Sequence, residues 1–177
     1  VLLTPSYPAP SFDELESALS ALAGVSPRFQ VDVVEEVFAG TASWPGTSES
    51  PFSLAPLAPW VGTFQFEIDL MVVDPTRYLS SIAELTIKQI VVHIHESLAL
   101  DALMQTAAEF DITVAVAATA ATPLEELAAM IAKYELTKVQ LMGISAVGQQ
   151  GQPFDARVLE RIRQLRAQFP DLSIAID

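Results

Sequence analysis

Cysteine is absent from all 177 residues, which removes disulfides, thiolate nucleophiles and cysteine metal sites and suits a reducing compartment. Basic residues are scarce. Nine Lys and Arg stand against 22 Asp and Glu, a formal net charge of −13. Such a surface repels nucleic acid and anionic membranes, so neither is an expected partner. No apolar run is long and uninterrupted enough to cross a bilayer, and no signal peptide is visible, so a cytoplasmic protein is the expectation. What the chain has in quantity is apolar material, 51% of its residues, enough for one domain over residues 1–177 with a full core.

The most informative stretch is FQFEIDLMVVDPTRY, Phe64 to Tyr78. A β-rich apolar run leads into Asp74 as helix cap and Pro75 at the first helical position, which reads as a strand, a short loop and a helix. In the strand Phe66, Ile68 and Leu70 share one face and Glu67, Asp69 and Met71 the other, so carboxylates stand where a buried strand is expected to be apolar. The same irregularity appears in Phe29 to Val34, where Gln30, Asp32 and Val34 oppose Val31 and Val33. Glu35 and Glu36 follow at that strand's carboxyl end.

The strand–helix unit recurs. Val1 to Leu3 reads as a first strand, and Ser11 with Glu14 has the spacing of a capping box before the stripe Leu15, Leu19, Leu22. Ala39 to Gly62 is a long Ser/Pro/Gly/Thr-rich loop with at most a short helix near Phe52 to Leu57, either a functional lid or a plain connection. Further strands are predicted at Gln89–His95, Ile112–Ala117, Val139–Ile144 and Leu172–Asp177. Helices are predicted over Leu98–Phe110 (stripe Ala99, Leu103, Thr106, Phe110), from Thr122 and Pro123 to Tyr134, and over Asp155–Phe169. His93 and His95 share a strand face and read as ligands or, by default, as core or rim residues. Arg157, Arg161, Arg163 and Arg166 read as the solvated side of an amphipathic helix.

This alternation predicts an α/β fold with a parallel sheet and right-handed crossovers. An open doubly wound sheet and a TIM-type (β/α) barrel compete. Polar residues at the strands' carboxyl ends favour the barrel, whose mouth gathers them, and no glycine-rich dinucleotide fingerprint follows the first strand. Seven strands are readable and the eighth is not. The expectation is therefore that a second copy covers the opening, as a homo-oligomer, or that a longer natural chain supplies the last unit.

Several segments, taken together, resemble the ribulose-phosphate 3-epimerases of the ribulose-phosphate-binding barrel group. The similarity rests on Pro5-Ser6, on QVDVVEEVF (Gln30–Phe38) beside the family's HVDVMDGHF, and on FEIDLMVVDPTRY (Phe66–Tyr78) beside LDVHLMVEDPERY. It continues in TAATPLEEL (Thr119–Leu127), LMGISAVGQQGQPF (Leu141–Phe154), VLERIRQLR (Val158–Arg166) and the closing Ile176-Asp177, which falls on the start of VDGG. The resemblance implies epimerisation of a phosphorylated ketose at a carbon beside its carbonyl, with Asp32 and Asp177 as the acid/base pair. It places Ser6, Met71, Gly148 and Gly151 around the substrate. Gln150 stands where the family has a glycine, in a loop one residue longer.

The resemblance also implies a divalent metal held at Gln30, Asp32, Asp69 and Asp177. Two family histidines are replaced there, by Gln30 and Asp69, so the donors are oxygens that suit magnesium or manganese rather than zinc, unless the site has stopped binding metal. Crowded carboxylates repel, and protonation is the other relief open to them. The related decarboxylases and hexulose-phosphate synthases carry a DxKxxD pattern at this strand. Asp69 is followed by Met71 and Val72 with no lysine, which sets those reactions aside. The remaining alternative is a catalytically silent barrel that binds a ligand or a partner subunit.

Overall fold

Among the described residues seven parallel strands follow one another around the sheet in chain order: β1 (Ser6–Tyr7), β2 (Arg28–Val34), β3 (Gln65–Met71), β4 (Gln89–His93), β5 (Thr113–Ala118), β6 (Lys138–Leu141) and β7 (Ser173–Ile176). The computed structural model describes residues 2–46, 52–145 and 147–177. The centre of the long loop and Ala146 of the SAVGQQGQP loop therefore lie outside the described residues, as does Val1. Between the strands run α1 (Phe12–Leu22), α2 (Glu36–Ala39), α3 (Leu79–Glu84), α4 (Leu100–Glu109), α5 (Leu124–Tyr134) and α6 (Arg157–Gln168). Among the described residues no helix is long and apolar enough to cross a membrane.

The sheet curls on itself into a partial TIM-type barrel. β3 and β6 are separated by two strands, yet Gln140 Nε2 reaches Asp69 Oδ2 at 2.8 Å and Lys138 Nζ pairs with Glu67, contacts that a flat sheet forbids. β1 pairs with β2, β7 pairs with β6, and neither pairs with the other among the described residues. Outward-facing Phe29, Val31, Val33, Ile68, Leu70, Ile90, Val92, Val114 and Val116 meet the helices' Leu15, Leu19, Leu79, Ile82, Leu103, Leu127 and Leu165 in the main core. Inside the curl a small apolar layer, Val91, Ala115, Ala117 and Met142, lies beside the inward polar groups of β2 and β3.

Local signals explain most element starts. Ser11 caps α1 by accepting from Glu14 N at 3.3 Å, and Asp74 accepts from Thr76 N at 3.1 Å ahead of Pro75. The first turn after Asp74 is a 3-10 turn, Pro75–Tyr78, which continues into α3. The short helix expected near Phe52 is a 3-10 helix at Ala55–Trp60, held by buried Leu54 and Leu57.

Four expectations need correction. Leu2 and Leu3 are not a strand and are 63% and 82% exposed. The first strand is Ser6–Tyr7, selected by pairing rather than composition, with Gln30 N donating to Pro5 O at 2.8 Å. β4 stops at His93 and β6 at Leu141, where the ladder thins to single bonds from Ile94 N to Ala117 O and from Met142 N to Ala118 O. Thr122 and Pro123 precede α5 rather than belonging to it. The Thr122 N–H donates to Thr119 O in a turn and the helix begins after Pro123. The buried stripe of α4 is Leu100, Leu103 and Ala107, with Phe110 beyond its end and exposed.

Candidate active site at the mouth of the curled sheet

Strand alternation decides which polar groups face inward. Because Phe29, Val31 and Val33 are taken up by the helix-facing core, Gln30 and Asp32 of β2 must project into the curl, and by the same rule Glu67, Asp69 and Met71 of β3 follow. The register sets Asp32 beside Asp69 and Gln30 beside Glu67.

At the carboxyl-terminal mouth lies a cavity of about 330 Å³. Ser6, Asp32, Met71, Gly148, Gly151 and Asp177, drawn from segments far apart in sequence, all line it, together with Pro8, Ile144, Gln149, Gln150 and Gln152. Gln30 and Asp69 do not line it and form a layer beneath. Gly148 and Gly151 adopt φ of +77° and +75°, conformations that side-chain-bearing residues rarely take. At Gly148 a Cβ would sit 3.0 Å from Ala39 Cβ and 3.2 Å from Val34 Cγ1, so this glycine lets the loop close down on β2 and α2. Gln150 lines the cavity beside them.

The layer beneath is a buried hydrogen-bond network centred on Asp69, which has no exposed surface. Asp69 Oδ1 meets His93 Nε2 at 2.8 Å. Asp69 Oδ2 accepts from Gln140 Nε2 at 2.8 Å and from Gln30 Nε2 at 3.1 Å, and Gln30 Nε2 also donates to Asp32 Oδ1 at 3.1 Å. With a carboxylate as partner, His93 Nε2 is the donor, and its buried Nδ1 has no hydrogen-bond partner among the described residues. His95 Nε2 is likewise buried and unpartnered. Burial, and then the neighbouring His93, hold the His95 imidazole below its ordinary pKa. Phe38 of α2 packs edge-on against both rings, at 6.1 Å and 5.4 Å.

Electrostatics separates the two cavity carboxyls. Burial, reinforced by the charge of Asp69, pushes the Asp32 carboxyl well above the usual carboxylate range, and the Gln30 hydrogen bond opposes this. Asp177 is pushed up in the same direction by partial burial and then by Asp69. As a residue it stays exposed at the rim, so solvent screens much of that effect.

A divalent metal fits this arrangement poorly. Among the described residues no group of three or more His, Asp or Glu side chains is placed to hold one. Both oxygens of Asp69 already accept hydrogen bonds from neighbouring side chains. Gln30 turns its NH₂ group, which has no lone pair to offer, toward the two aspartates.

Gln140 and Ser43 also belong to the site and are not among the residues that the sequence pattern marks. Gln140 could have been found from the inward period Lys138, Gln140, Met142 on β6. Ser43, in the Ser-rich loop, is buried. Its Oγ donates to Asp32 O at 2.6 Å and accepts from Val34 N at 2.9 Å, pinning the loop to the strand that carries Asp32. Glu35 is buried too, accepting from Tyr78 Oη at 2.6 Å and from Val73 N at 2.9 Å. Burial and that carboxylate push the Tyr78 phenol upward. Glu67, whose place on the inner face had no evident partner, pairs with Lys138. The helix arginines engage locally, Arg157 with Asp155, Arg163 with Glu160 and Arg166 with backbone carbonyls, whereas Arg161 is half-buried.

Residues 12–177 match the model of the ribulose-phosphate 3 epimerase family. A comparison of the sequence with curated proteins gives no match. Among solved structures the chain is similar to a mutant tryptophan synthase α-subunit from the hyperthermophile Pyrococcus furiosus, with a TM-score of 0.64 at 15% identity over 98% of this chain and 75% of that one. It is also similar to Mycobacterium tuberculosis tryptophan synthase, with a TM-score of 0.61 at 13% identity over 99% of this chain and 82% of that one. At such identities the likeness concerns the barrel fold.

Proposed function

The chain belongs to the ribulose-phosphate 3-epimerase family, and from that membership we propose that its cavity takes a phosphorylated ketose and inverts the carbon beside the carbonyl. Inversion needs one group ionised to remove a proton and another protonated to return one. The observation that carries the reading is that Asp32 and Asp177 line the same cavity with unequal environments. Asp32, pushed up by burial and by Asp69, keeps a proton to the higher pH and is the donor. Asp177, at the screened rim, ionises more readily and is the base. Ser6 and the Gly148–Gly151 loop supply the wall for the phosphate end, with glycine at both left-handed positions.

The test is exchange of the substrate carbon's proton with solvent deuterium, using ribulose 5-phosphate as the probe. Wild type is expected to exchange, and Asp32→Asn and Asp177→Asn are each expected to reduce exchange by about 10²-fold or more, since neither amide moves a proton. Absence of exchange by wild type at high protein concentration removes the enzymatic reading.

A second reading, a barrel that binds a sugar phosphate without turning it over, draws support from the three donors already engaged with Asp69. Under it, calorimetry detects ribulose 5-phosphate binding that Gly148→Val abolishes, while exchange stays at the uncatalysed rate.

A further inference from the structure

The Gln30 amide occupies an unusual position. Its Nε2 lies 3.1 Å from Asp32 Oδ1 and 3.1 Å from Asp69 Oδ2, bridging two carboxylates of adjacent strands. A cation shared by those aspartates would need the same oxygens. Gln140 Nε2 and His93 Nε2 also reach Asp69, at 2.8 Å each, so three buried donors already engage its two oxygens. Gln30, His93 and Gln140 are 6%, 3% and 1% exposed, so water cannot take over a donor that is displaced. An entering ion would leave these three buried donors without acceptors, and ordered networks of this kind resist partial disruption.

We propose that this network replaces the divalent cation: Gln30, supported by Gln140 and His93, holds Asp32 and Asp69 together by hydrogen bonds, and the chain binds no magnesium, manganese or zinc between them. The inference concerns the floor of the cavity and rests on these contacts, so its test reads metal uptake and is independent of whether the protein turns substrate over. Gln30 is the deciding residue, because it alone among the donors touches both aspartates.

Manganese(II) is the probe, followed by loss of its free-ion paramagnetic resonance signal in the presence of equimolar protein. Wild type is expected to leave the signal unchanged. Gln30→Glu removes the bridging donor and adds a carboxylate beside Asp32 and Asp69, and this variant is expected to bind manganese at least about tenfold more tightly than wild type. Stoichiometric uptake of manganese or zinc by wild type that is lost in Asp32→Asn overturns the proposal. A Gln30→Glu protein with native circular dichroism that takes up no more manganese than wild type overturns the role given to the amide. Because the wild-type measurement needs no variant, misfolding of Gln30→Glu leaves the proposal open to refutation.

Discussion

Asp32 answers to two opposed demands, and a single substitution separates them. The folded chain holds its proton up to a raised pKa, while the unfolded chain releases it near about 3.9. Between those values the folded state binds more protons, so stability falls as pH rises through the window and the deficit stays constant above it. Asp32→Asn keeps the shape and an oxygen able to accept from Gln30, and it has no charge to desolvate. It is expected to exceed wild type in stability at about pH 7, above the unfolded-state pKa, and to lose that advantage toward about pH 4, where both chains are neutral at this position. Urea midpoints at the two pH values check this, and an unchanged difference between them would place the gain elsewhere. Ser43 carries the opposite expectation. Ser43→Ala strands the buried Val34 N–H and one acceptor position on Asp32 O, a loss of about 1–3 kcal/mol in the same unfolding measurement.

At the scale of elements, the loop between β6 and α6 is where backbone conformation and packing can be told apart. Gly148 and Gly151 share a left-handed φ, but only Gly148 would drive a Cβ into Ala39 and Val34, while Gly151 faces open space. Gly151→Ala is therefore expected to cost only the conformational penalty of about 1–2 kcal/mol. Gly148→Ala is expected to cost more and also to weaken sugar-phosphate binding, because the loop must lift from β2 and α2. Parallel denaturation and calorimetry on the two variants check the ranking, and equal effects would show that contact with β2 is unimportant. Elements governed by local chemistry were readable from sequence, such as α1 from Ser11 and Glu14 and the Asp74-Pro75 start. β1 was not, because two residues become a strand only through the partner at Gln30, and the apolar Leu2 and Leu3 give the stronger local signal.

For the whole molecule, the parallel barrel topology was readable from the repeating strand–helix pattern, and Asp32 and Asp69 from carboxylates breaking an apolar face, whereas Asp177 entered only through the family resemblance. The partners across the curl were not readable, because Asp69 with Gln140 and Glu67 with Lys138 each lie 71 positions apart and meet only when the sheet bends. The Glu67–Lys138 pair gives that bend a direct test. Its side chains are 10% and 18% exposed, so each ion has lost most of its water and relies on the other. Removing one partner, as in Lys138→Met, leaves an uncompensated carboxylate inside the curl and is expected to cost about 2–4 kcal/mol, below the full buried value because some solvent remains. Removing both, as in Glu67→Leu with Lys138→Met, takes away the desolvation cost and the attraction together and fills the space with apolar groups. That double variant is expected to lie within about 1 kcal/mol of wild type or above it. A double-mutant cycle from urea unfolding checks this. A coupling near zero would mean that β3 and β6 do not face each other across the interior, and with it the curled arrangement that places Asp32 and Asp177 on one cavity would fall.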